Sequence, residues 1–221
     1  MAHSVAHSPV GVPTVLSLNH TATAPLLGEL RSARPFPAQL HRWGSVQAYE
    51  RLLGSRYPMA VLDVPSARWT GDLEHRVRAL SRIAAVSVLV PTGTDTLPLF
   101  GAHARNVLDR GLPARELAAR LAADRRRLRT AVATAARDGV SLSPLSPPYR
   151  DSQRLLLKLL LSGSGPWCCH ELRVLLGSAQ RPLSRPTLHA RVLRLMSYAT
   201  AFRTAVHIEV HYGRTIYSTR P

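Results

Sequence analysis

Two runs that are apolar but for one residue each, Asp63 and Ser87, constrain this chain more than any other feature. Residues 58–64 (PMAVLDV) and 84–90 (AAVSVLV) carry no alternation of polar and apolar positions, and Pro91 and Gly93 stop the second. A short strand that is apolar on both faces has to be covered on both faces. That is the condition of an inner strand of a parallel sheet with helices above and below it. The surrounding rhythm agrees. Strand-like stretches at 12–18, 36–41 and 105–108 alternate with helical patterns at 24–31, 45–53, 72–81, 95–103 and 113–137. Ser45 is the expected N-cap of the second helix. Leu117, Leu121, Leu128 and Val132 give the last one its helical period. Strands alternating with helices predict βαβ units and a small doubly wound α/β domain over residues 12–138. Residues 1–11 read as a disordered leader.

The rhythm changes after residue 138. Residues 139–150 (GVSLSPLSPPYR) have a linker composition of Pro, Gly and Ser. Residues 151–221 then form a second domain. A leucine-dense helix is predicted at 153–161, a turn at 162–166, a second helix at 167–176 and a loop at 177–183. A third helix follows at 184–199, with Ser184 near its N-cap and Pro186 tolerated in its first turn. Two strand-like runs, 205–211 and 215–219, are split by Tyr212, Gly213 and Arg214, which is hairpin spacing. Three helices and a hairpin make a winged helix-turn-helix.

Charge narrows the function classes. There are 29 basic and 13 acidic residues, a formal net charge of +16 and a sequence pI near 11.5. Such a balance favours an acidic partner, and nucleic acid is the commonest. Lys158 is the only lysine, so arginine-rich coding inflates the total. The informative part is local: residues 151–221 hold ten basic against three acidic residues. No apolar run approaches the ~18 residues of a transmembrane helix, and no basic segment precedes an apolar one near the N-terminus. Cys168 and Cys169 are adjacent, which disfavours an intrachain disulfide and makes a reducing cytoplasm the expected compartment.

In this order of elements the chain resembles a bacterial response regulator of the OmpR type: a flavodoxin-like (βα)5 receiver, a linker and a winged-helix effector. The resemblance spans roughly residues 12–220. Its best local matches are MAVLDV (59–64), which puts Asp63 at the phosphoacceptor position, and RGLPARELAARL (110–121), which looks like the exit of the fifth strand and the last helix. The departures point to a pseudo-receiver. Where the family has an acidic pair after the first strand, this chain has Asn19 and His20, which remove the negative oxygens a divalent ion requires. Thr92 stands near the family's Ser/Thr position, after a disturbing Pro91. Arg110 replaces the family's lysine and Gly111 its following proline. Phosphotransfer needs a metal to neutralise the developing charge, so the expectation is regulation without normal phosphorylation of Asp63. The resemblance implies duplex DNA as partner and a homodimer on paired half-sites, with RNA polymerase or another regulator as further partners. It implies no cofactor and no membrane. Two alternatives stay open: a conventional phosphorylation-dependent regulator, and an adaptor whose winged helix binds protein.

On the third C-terminal helix, Leu188, Val192, Leu195 and Met196 share one face and are expected to pack inward. Thr187, Ala190, Arg191, Arg194 and Tyr198 lie opposite and suit a major groove. Arg185 at the helix start and Arg214 at the hairpin tip are further expected DNA contacts. Other constellations read as structural. Cys168, Cys169 and His170 are consecutive, so on the second helix they diverge by about 100° and cannot share an ion. His207, Glu209 and His211 alternate along a strand and form its solvated face. Arg125, Arg126, Arg127 and Arg129 read as a solvated charge run. No nucleophile triad, carboxylate pair or Gly-rich phosphate loop stands out, so no enzyme is expected.

Overall fold

A computed structural model describes residues 12–33, 36–133, 151–162, 165–199 and 205–220. The leader 1–11, the linker 139–150 and the expected last turn of the helix before it lie outside the described residues. In the first half, β1 (Thr14–Ser17), β2 (Gln39–Arg42), β3 (Met59–Asp63), β4 (Ala85–Val90) and β5 (Asn106–Asp109) form one sheet, all pairs parallel, in the order β2-β1-β3-β4-β5. That is the flavodoxin-like order of a doubly wound sheet. Every residue of β3 is buried, as is every residue of β4 after Ala85, which is what a strand covered on both faces requires.

Helices α1 (His20–Ala33) and α5 (Ala114–Ala133) cover one face. Their Leu26, Leu27, Leu30, Leu117 and Leu121 meet Val15, Val61 and Leu89 in one core. α1 begins a turn earlier than its apolar period implies, because the Asn19 carbonyl accepts from the Ala22 and Thr23 amides and starts the helix there. Helices α2 (Val46–Leu53), α3 (Leu73–Ser81) and the short α4 (Leu97–Gly101) cover the other face. Ser45 caps α2, its hydroxyl accepting from the Ala48 amide.

In the second half come α6 (Asp151–Leu161), β6 (Trp167–Cys168), α7 (Cys169–Leu176), α8 (Arg185–Ala199), β7 (Ala205–His211) and β8 (Arg214–Arg220). The three strands form an antiparallel sheet in the order β6-β8-β7. One expectation is corrected here: Trp167 and Cys168 are strand, not helix. Trp167 pairs with Tyr217 across β8, and its indole N–H donates to the Leu159 carbonyl at 2.8 Å. Pairing and burial of that large ring hold the backbone extended, and the helix begins only at Cys169. Cys168 is therefore half-buried at the N-cap of α7, while Cys169 is buried inside it.

The second core is continuous across both halves. Leu52, Val77 and Leu80 of the first half share it with Leu156, Leu160, Trp167, Leu172 and Leu175 of the second. α6 explains how. Leu155, Leu156, Leu157, Leu159 and Leu160 are all buried, around the whole helix, because α2 lies on one side of α6 and α8 and β8 on the other. A helix apolar all round is a helix covered all round. Each such leucine contributes about 1.5–3 kcal/mol of burial. Polar contacts seal the seam. Glu50 receives Arg154 at 2.7 and 3.1 Å and Lys158, one turn on, at 3.4 Å. The Arg82 guanidinium lies 4.0 Å from the Trp167 ring centroid and donates to Glu171 at 2.7 Å. The Trp43 indole donates to the Val174 carbonyl at 3.0 Å.

Candidate functional site

The site residues expected from sequence fall in two places: the C-terminal ends of β1, β3 and β5, and the outer face of α8 with its neighbouring hairpin. In an open α/β sheet the strand ends are where ligands and chemistry collect.

Asp63 ends β3 with no solvent exposure. Both carboxylate oxygens are engaged. Thr23 on the first turn of α1 donates to Oδ2 at 2.6 Å, and Arg110 after β5 donates through Nε to Oδ1 at 2.8 Å. A hydroxyl has one proton, so Thr23 must accept from the buried Ser17 hydroxyl beside it. Arg110 also donates to the Ala22 carbonyl at 2.8 Å. These are charge-assisted bonds, about twice as strong as neutral ones. They tie β3, α1 and the loop after β5 into one knot. Arg110 is a quarter exposed, so its own desolvation is partial, while Asp63 owes its burial to these donors.

Thr92 is elsewhere. Its hydroxyl donates to Asp109 at 2.9 Å, and Asp109 also accepts from the Gly111 amide at 2.7 Å. Thr92 lines a cleft of about 360 Å³ with Ala67, Thr70, Pro91, Gly93, Thr94 and Asp95, and Asp63 is not among the lining residues. Asn19 acts through its backbone at the start of α1, and His20 is exposed there. The arrangement therefore holds a carboxylate; it does not present one.

On α8, Leu188, Val192 and Leu195 are buried, a clean stripe at helical spacing. Met196 is corrected to the exposed side at 38% exposure, with Leu193 at 49%. Position 196 lies about 100° round from Leu195, past the edge of the strip that α6 and α7 cover. Thr187, Ala190 and Arg194 are exposed, and Arg191 is half-buried. Burial and then the neighbouring Arg194 charge push the Arg191 guanidinium below its ordinary value. Arg194 donates to the carbonyl of Ala190 on its own helix. Arg185 reaches across to the Thr215 hydroxyl at 2.9 Å, so it pins the start of α8 to β8. The side chain of Tyr198 lies outside the described residues. The Ser184 hydroxyl caps α8 by accepting from the Thr187 amide.

The β7–β8 turn is Tyr212-Gly213, both at positive φ (49° and 74°), a type I′ hairpin turn. Arg214 is the first residue of β8 and is exposed; Tyr212 at the tip is fully exposed. Among the other constellations, His211 Nε2 lies 2.8 Å from Glu209, and no metal-holding group of three ligand residues occurs among the described residues. No helix of the described residues is long and apolar enough to cross a membrane.

No family model matches the chain, and no curated protein does. Among solved structures, it is similar to the signal receiver domain of a protein assigned as a Luxo repressor from Vibrio parahaemolyticus. That match has 15% identity and a TM-score of 0.43, over 58% of this chain and 100% of that one. It is also similar to a structure described as a streptococcal redox sensor evolved from two-component response regulators. Here identity is 17% and the TM-score 0.39, over 94% of this chain and 99% of that one. The first is described as a receiver domain and the second as evolved from response regulators; the flavodoxin-like sheet of this chain rests on its own strand order.

Proposed function

We propose that this chain is a DNA-binding transcriptional regulator whose first half is a pseudo-receiver, controlled without phosphorylation of Asp63. The observation that carries the regulatory part is the enclosed carboxylate: Asp63 has no exposure and both oxygens are engaged by Thr23 and Arg110. An in-line attack on a phosphodonor needs a free, approachable oxygen beside a metal. For DNA, the support is that α6, α7 and α8 are followed by the β7–β8 hairpin, the element order read here as a winged helix-turn-helix. α8 exposes Thr187, Ala190 and Arg194, and the hairpin exposes Arg214. An exposed helix of this kind enters a major groove, and a homodimer would place two such helices on paired half-sites.

Selection of bound genomic fragments at two salt concentrations tests the reading. Sequence-selective binding is expected to survive ~150 mM salt. If about five phosphates are neutralised, log K falls with log salt at a slope near −4.5. Arg191→Ala with Arg194→Ala is expected to abolish selectivity while leaving the fold intact. Binding that is unselective at both salts overturns it.

The exposed apolar pair Leu193 and Met196 favours a second reading, in which the same helix docks on a protein. Leu193→Ser distinguishes the two: it leaves DNA selectivity unchanged in the first and removes the partner in the second.

A further inference from the structure

Arg76 on α3 is an anomaly of the seam. It is 4% exposed, yet no carboxylate lies within ion-pair distance of it among the described residues. Its Nη2 donates to the Ala179 carbonyl at 2.7 Å, and its guanidinium lies 5.1 Å from the Trp43 ring centroid. Nε and Nη1 are buried with no hydrogen-bond partner. A buried cation is ordinarily paired, and an unmet charged donor is costly. Burial pushes the guanidinium below its ordinary value, against the nearby Asp72 charge.

Arg76 lines a cleft of about 480 Å³ between the halves, a size in the range of small-ligand sites. Arg68, Trp69, Gly71 and Asp72 line it from the first half, and Ala179 and Gln180 from the loop before α8. The Trp69 indole N–H is a second buried donor with no acceptor. Both unmet groups are donors, so the missing chemistry is an acceptor. Two arginines against one aspartate leave a single positive charge, which favours a monoanion over a dianion. The Trp69 ring, with the Arg68 guanidinium 5.3 Å from its centroid, lines the same cleft.

We propose that this cleft binds a small monocarboxylate, which accepts from Arg76 and Trp69 once the cleft walls part, since those N–H groups are sealed as the walls stand, and which bridges the two halves. As an allosteric effector site it rests on the DNA-binding reading above; as a binding site it does not. A ligand touching both the α3 segment and the loop before α8 biases how α8 is held, and so takes the place phosphorylation would have had.

The test is titration of the full chain with sodium benzoate at constant ionic strength, read by calorimetry and tryptophan emission. Benzamide is the neutral isostere and inorganic phosphate the dianionic comparator. Saturable benzoate binding with a change in emission is expected, with weaker phosphate binding and none for benzamide. Gln180→Glu sets a like charge at an exposed position of the mouth and is expected to weaken benzoate about tenfold or more without moving Tm. Arg76→Met is expected to abolish binding; should it fail to fold, Arg68→Gln and Gln180→Glu decide. No saturable benzoate binding, equal binding of benzamide, tighter binding of phosphate, or affinity unchanged in the folded variants overturns the proposal. Benzoate binding in a chain that selects no DNA leaves the site and removes its regulatory meaning; selective DNA binding without benzoate binding does the reverse.

Discussion

Asp63 is a strand-end carboxylate that its neighbours enclose. With Thr23 and Arg110 on its oxygens, it works as a tie between β3, α1 and the loop after β5. Removing one partner of such a buried pair strands the others. Asp63→Ala is therefore expected to cost about 3 kcal/mol, at the low end for buried pairs because Arg110 can hydrate. That loss corresponds to a fall in Tm of roughly 6–12 °C for a chain of this size, measured by thermal denaturation. Incubation with acetyl phosphate and Mg²⁺ is expected to leave no acid-labile phosphate on the chain. Stoichiometric labelling at Asp63 would sink the pseudo-receiver reading.

At the scale of elements, period and apolar runs were enough for most of the fold. β3 and β4 were legible because no residue in them is free to face water. α8 was legible because Leu188, Val192 and Leu195 recur at helical spacing while their neighbours do not. β6 was not: its two residues are extended only because β8 pairs with them from nearly fifty positions away. The seam was legible only in retrospect, in the six leucines of α6, which are too many for one face of a helix. Asn19, Asp63 and Arg110 could be singled out from sequence, but the diversion of Thr92 to Asp109 could not, since it depends on where two loops meet. Arg76 was missed because nothing in sequence separates it from the other arginines. The hairpin offers its own test. Tyr212 holds a left-handed conformation that a bulky residue adopts at a cost of about 1 kcal/mol, and asparagine visits it readily. Tyr212→Asn is expected to raise stability by up to that amount, seen as slower amide exchange along β7 and β8.

For the whole molecule, the seam is set to weaken in acid. Burial, then the His75 and Arg173 charges, hold the His170 imidazole below its ordinary value, against the opposite pull of Asp72 and Glu171. Its ring meets His75 edge-on at 4.4 Å. Burial alone would raise the Glu50 carboxyl, but Arg154 and Lys158 outweigh it and hold it low. In both cases the unfolded chain binds more protons than the folded one as pH falls, so stability rises with pH. The His170 contribution is lost from about pH 6.5 downward, through its depressed folded value. The Glu50 contribution goes below about pH 4.5, again through its depressed folded value. Tryptophan emission from Trp43 and Trp167, both in the seam, is expected to change in two steps on acidification, and His170→Asn is expected to remove the upper one. A single step that His170→Asn leaves in place would show that the histidine does not report on the seam.

Gly44 has φ of +82°, and a Cβ there would stand 2.2 Å from the Gly177 carbonyl oxygen, backbone against backbone. That oxygen cannot be trimmed by mutation, and Gly177 is itself held by its own loop, where a Cβ would meet Pro182 and Leu183 at 2.7 Å. Exchange of either half for a foreign one therefore has to reproduce a bare backbone on one side and a matching loop on the other. The two halves are therefore exchangeable only as a matched pair.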